Sequence, residues 1–189
     1  AVKAWVDAYN ALQDTFSNLT KYTAVDAGAE NQDSSNGALL GDSTLRTIQT
    51  QLKTLLANTH SSSNYKTLAQ IGITSDASTG TLEIATDKLQ TALKKDAAGV
   101  GEMFIGDGKS TGVTTSISSN LTSWLSSTGI IQAAKDGVSK TLNNLTDQYN
   151  AASERIDTLM ARYKAQFTQL DVLMNSLNST SSYLTQQFD

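Results

Sequence analysis

The chain has 189 residues, 39% of them hydrophobic and 17% charged, with a formal net charge of −4. That allows one ordinary domain, or a domain plus an extended arm, with a core but little charge-based solubility. No basic run or patch is present, so the electrostatic footprint of a nucleic-acid binder is missing and that class is excluded.

The first residues already carry a helical pattern. Val2, Trp5, Val6, Tyr9, Leu12, Phe16 and Leu19 recur at three- and four-residue spacings, one face of an amphipathic helix. The polar loop "TAVDAGAENQDSSNG" follows. "ALLGDSTLRTIQTQLKTLLAN" restarts a helix, with Asp42 or Ser43 as N-cap and Leu45, Ile48, Leu52, Leu55 and Leu56 as its buried face. Ile71 and Ile73, then Leu82 and Ile84, alternate at period two around a Ser/Asp/Gly-rich turn. This predicts a β-hairpin from about Leu68 to Ile84. Asp87 with Gln90 predicts a capping box for the short helix "DKLQTALKKD". "GVGEMFIGDGKSTG" reads as a glycine-punctuated connector. Val113, Ile117, Leu121, Trp124 and Leu125 mark another helix.

The last element begins after Gly129. Val138, Leu142, Leu145, Tyr149, Ala152, Ile156, Leu159, Tyr163, Gln166, Leu170, Leu173, Leu177, Thr180 and Leu184 form one seam, in which only Gln166 and Thr180 are polar. A seven-residue repeat sustained over this length predicts coiled-coil packing. Met160, Phe167 and Met174 widen the stripe beside it. The stretch from Val138 to Tyr149 is expected to join the core of the preceding domain. The rest is out of its reach. A helix from Asp136 to Phe188 would be roughly 80 Å long, against a body only about 36 Å across. The seam beyond Ala152 therefore needs a missing segment of its own protein, copies of itself, or another protein.

Chemistry-bearing residues are sparse. His60 is the one histidine and there is no Cys, so neither a zinc site nor a nucleophile–base pair has the residues it needs, and His60 reads as a solvated loop residue. "GVGEMFIGDG" lacks the Lys-Ser/Thr ending of a phosphate loop, and Asp26, Glu30 and Asp33 lack the spacing of a calcium loop. Four Asn-x-Thr sequons, at Asn18, Asn120, Asn144 and Asn178, are expected by chance in a chain this rich in Ser and Thr. No catalytic residue, metal site or cofactor is assigned.

Pro is also absent, where average usage would place roughly nine in this length. A chain without Cys or X–Pro bonds refolds without two slow covalent steps. This suits passage through an export channel in the unfolded state. No secretory h-region and no apolar run of membrane length occurs, so no membrane partner is expected. Because Ala1 stands inside a helical pattern with no initiator Met, we expect a fragment of a longer protein.

"AWVDAYNALQ", "GALLGDSTLRTIQTQL", "LAQIGITSDASTGTLEIATDKLQTAL" and "RYKAQFTQLDVLMNSLNSTSSYLTQQF" together resemble the C-terminal region of the bacterial flagellar filament cap family, also called hook-associated protein 2. The likeness covers nearly the whole chain and weakens at residues 26–36 and 106–115. It implies a mainly α fold with a small β-hairpin. A helical leg domain, residues 1–150, would continue into a long C-terminal coiled-coil helix, residues 151–189. It implies a non-enzymatic, secreted protein of the flagellum, capping the distal tip of the filament and promoting folding and insertion of exported flagellin. The partners it implies are copies of itself in a ring-shaped homo-oligomer (a pentamer is the first guess), flagellin, filament junction proteins, and an export chaperone before secretion. Self-assembly is expected through Ile156, Leu159, Tyr163, Leu170, Leu173 and Leu177. Chaperone or terminal-helix binding is expected through Leu173, Leu177, Tyr183, Leu184 and Phe188. The alternative reading is a secreted coiled-coil adaptor or adhesin.

Overall fold

The computed structural model describes residues 1–25, 27–28, 31–57 and 63–188. Asp26, Glu30 and His60 lie outside the described residues, as does the side chain of Phe188. In chain order the elements are α1 (Val2–Thr20), α2 (Ser43–Ala57), a 3-10 turn (Leu68–Ile71), β1 (Ile73–Ser75), β2 (Leu82–Ile84), α3 (Thr86–Ile105), α4 (Val113–Leu125) and α5 (Ile130–Phe188). The fold is mainly α, with one small antiparallel hairpin. Contacts divide it into two units, Ala1–Ala134 and Lys135–Asp189.

The first unit has one apolar core, to which every element from α1 to α4 contributes. Val6, Tyr9 and Phe16 supply the buried face of α1, and Leu45, Ile48 and Leu52 that of α2. Both sets follow the three- and four-residue spacing of the sequence. Trp5 meets the Phe104 ring edge-on at 5.2 Å, tying α1 to α3. Of the two expected caps, Asp42 does the work: its Oδ1 accepts the Leu45 backbone N–H at 2.7 Å, satisfying one of the orphan donors of the first turn of α2.

The hairpin lies within the predicted range, but its strands begin only at Ile73. Ile71, expected in the alternation, belongs to a preceding 3-10 turn held by a capping box between Thr67 and Gln70. Gly72 then turns the chain into β1 with φ +84°. A Cβ there would stand 2.7 Å from the Lys88 Cβ, so glycine is required on both counts. Ile73 pairs with Ile84, Thr74 with Glu83 and Ser75 with Leu82. The connecting turn is organised by Asp76, whose Oδ1 accepts the N–H groups of Ser78 and Thr79 at 2.8 and 2.7 Å.

Two expectations fail in α3. Its N-cap is Ala85, with no side-chain cap bond, so the Asp87–Gln90 box does not form. The helix also does not stop at "KKD". It breaks at Asp96 (φ −156°, ψ 78°) and resumes to Ile105. Asp96 acts as the N-cap of the resumed half, its Oδ1 accepting the Gly99 N–H at 2.7 Å. "GVGEMFI" is therefore helix rather than connector. The physical reason is packing: Val100, Met103 and Phe104 are buried core residues at helical spacing. Their burial outweighs a cost of about 1 kcal/mol per helical glycine. The connector shrinks to residues 106–112, where the Asp107 Oδ1 accepts N–H groups from Lys109, Ser110 and Thr111.

The second unit is helix throughout its described length. Val138, Leu142, Leu145 and Tyr149 are 61, 58, 61 and 73% exposed, which overturns their assignment to a core. They fall in the unit that begins at Lys135, which holds no second element to bury them. The boundary drawn near residue 150 falls inside α5, whose helix continues through it.

Candidate self-assembly surface

α5 is 59 residues long, several times the usual helix length in a globular domain. Its sequence explains its continuity. There is no Pro, and no Gly after Gly137, so nothing breaks the backbone ladder. The abundant Ser and Thr hydroxyls turn back onto the helix: Thr141, Thr146, Thr168, Ser179, Thr180, Ser182 and Thr185 each donate to the carbonyl four residues earlier. Such back-bonding slightly weakens a helix, and four of the seven cases lie within Ser179–Thr185.

Eleven large apolar side chains of the seam are exposed, from Val138 to Leu184. Leu159 is the least exposed, at 40%, and Tyr149 the most, at 73%. All six residues assigned to self-assembly, Ile156, Leu159, Tyr163, Leu170, Leu173 and Leu177, stand on this stripe with uncovered side chains. Leu184 continues it, and Tyr183 flanks it at 62% exposure. Met160, Phe167 and Met174 are likewise exposed beside it. Soluble monomers rarely leave a contiguous apolar surface of this length uncovered. From Val172 to Phe188 no charged residue occurs at all, so nothing electrostatic opposes burial of this part.

Chemically the stripe can exclude water against another apolar surface and do little else. Among the described residues, no group of three or more His, Cys, Asp or Glu side chains is placed to hold a metal ion. No described helix is long and apolar enough to cross a membrane. The polar residue that sequence reasoning missed is Asn10. Its side chain accepts the Leu82 N–H at 2.7 Å and donates to the Leu82 carbonyl at 2.9 Å, bonding α1 to β2. A contact across 72 positions leaves no local signal in the sequence.

A helical unit with one hairpin, and a long helix whose apolar stripe is bare, define a mainly α protein with a surface suited to docking against another apolar surface. The family model described as flagellar hook-associated protein 2 C-terminus matches residues 1–179. Over all 189 residues the chain is 76% identical to flagellar hook-associated protein 2 of Escherichia coli K12, covering 40% of that protein. It is 57% identical to that of Salmonella typhimurium over 188 residues, again covering 40%. The crystal structure of the flagellar cap protein FliD D1-D2-D3 domains from Escherichia coli superposes with a TM-score of 0.63 at 67% identity. That match covers 72% of this chain and 35% of the solved one. The chain belongs to the flagellar hook-associated protein 2 family, and it spans about two fifths of the length of these curated relatives. An adaptor or adhesin reading finds no support among them.

Proposed function

We propose that this chain is the C-terminal part of a structural capping protein at the distal tip of the bacterial flagellar filament, where it promotes folding and insertion of exported flagellin. The observation that carries the reading is 76% identity to hook-associated protein 2 along the whole chain, joined to the likeness to a solved flagellar cap protein. The bare stripe of α5 fits the part. In this reading it meets copies of itself in a ring, with five subunits the first guess, through Ile156, Leu159, Tyr163, Leu170, Leu173 and Leu177. Residues 1–150 serve as the leg and residues 151–189 as the terminal-domain helix.

Before export, an escorting chaperone takes the closing stretch through Leu173, Leu177, Tyr183, Leu184 and Phe188. The protein then leaves through the flagellar secretion apparatus, works outside the cell beside flagellin and the filament junction proteins, and catalyses no covalent reaction. The test is complementation. The full-length protein is expected to restore filament growth and swimming to a strain lacking its cap. Normal secretion without any restored filament would contradict the reading.

A further inference from the structure

The hairpin has two outer edges, and among the described residues one is partly closed and the other open. Asp76 N–H donates to the Thr81 carbonyl and Ala85 N–H to the Gly72 carbonyl. In an antiparallel ladder with this register, Thr74 and Glu83 then face each other's hydrogen bonds, while Ile73, Ser75, Leu82 and Ile84 point theirs outward. On the β2 side, the Asn10 amide takes both outward groups of Leu82, as a third strand would, while those of Ile84 have no partner among the described residues. On the β1 side, the outward N–H and C=O groups of Ile73 and Ser75 have no partner among the described residues. A groove of about 580 Å³ runs along that edge, lined by Leu56, Leu68, Ile73 and Leu82, with Lys53 and Asp76 also on its wall.

An open edge beside an apolar groove is the geometry that accepts an added strand: main-chain bonds supply affinity and the groove takes alternate side chains. We propose that β1 receives a third strand of about three to five residues from the same polypeptide, drawn from the stretch that leads into Ala1 in the full-length protein. Two observations select this occupant. About three fifths of the length of the curated relatives lies outside the matched region, and that region is their C-terminus. The start of the chain is also near. Asn10 touches β2, Ala1 is nine helical residues before it, and β1 lies one strand further. The whole path is about 30 Å at most, a span that ten extended residues cover.

The test is amide hydrogen exchange with NMR contacts on the full-length protein, held monomeric by dilution. Ile73 and Ser75 amides are expected to exchange about a hundredfold more slowly than an open edge, close to Thr74 and Glu83. Cross-strand contacts should run to residues preceding Ala1. Ser75→Pro removes an outward donor and leaves the Thr74–Glu83 pair intact. It should therefore abolish the protection of Ile73 alone, while Ser75→Ala retains it. Fast exchange of Ile73 and Ser75 in the wild type overturns the proposal. So does protection that appears only as concentration rises, since a second copy would then be the occupant. The wild-type measurement decides even if Ser75→Pro fails to fold.

Discussion

Asn10 is a small side chain with a large structural duty, since among the described residues it alone satisfies the outward backbone groups of Leu82. Leu82 is buried, so truncation strands a donor and an acceptor away from water. Asn10→Ala is expected to destabilise the first unit by about 1–3 kcal/mol in denaturant unfolding, without altering the helix content. Asp107 and Asp76 act similarly on their turns but carry charge. Backbone N–H groups of Thr111, Ser110 and Lys109 hold the Asp107 carboxyl well below the usual range, and the Ser78 hydroxyl with the N–H groups of Thr79 and Ser78 does so for Asp76. A depressed folded value means the stabilisation is fully present above the unfolded carboxylate value of about 3.9. It is lost as pH falls from there toward the folded value. Asp107→Asn should therefore lower the melting temperature at pH 7 and flatten its decline below about pH 4. An acid limb as steep as in the wild type would count against this account of the turn.

At the level of elements, the hairpin was legible because alternation at Ile71, Ile73, Leu82 and Ile84 contrasts with the helical spacing on both sides. The second half of α3 was not, because Gly99 and Gly101 looked like punctuation. Gly99 in fact fits under the carboxyl of Asp96, which caps the resumed helix. The repeat of α5 was plain in the sequence, yet a repeat does not say which of its turns find a neighbour. Val138, Leu142, Leu145 and Tyr149 carry the repeat but stand exposed, with no core to join. The same stripe yields the sharpest substitution test. Leu177 and Leu184 are 56 and 49% exposed on α5. Burying the rest of both against a partner contributes about 3 kcal/mol, or roughly a hundredfold in affinity. Leu177→Ala with Leu184→Ala should weaken both chaperone binding, read by calorimetric titration, and swimming. The first unit, which excludes both residues, should still melt at the wild-type temperature. Gln166→Leu should be tolerated, since it only completes the seam. A double variant that binds and swims like the wild type would make the end of α5 a passive tail.

For the molecule as a whole, fold class and family were readable from motifs spread along the chain, while the candidate site was readable only as a surface. A stripe at a seven-residue repeat states that something covers it, and the partner's own residues are not in this sequence. The central claim is that the exposed face of α5 is buried when the cap assembles. Oxidative footprinting of the full-length protein, as monomer and as assembled cap, measures that directly at Met160, Phe167, Met174 and the neighbouring leucines. Labelling of these residues is expected to fall about tenfold or more on assembly, while Tyr22 and Ile105, exposed on the first unit, serve as internal references. Equal labelling of Met160, Phe167 and Met174 in monomer and assembled cap would contradict the claim.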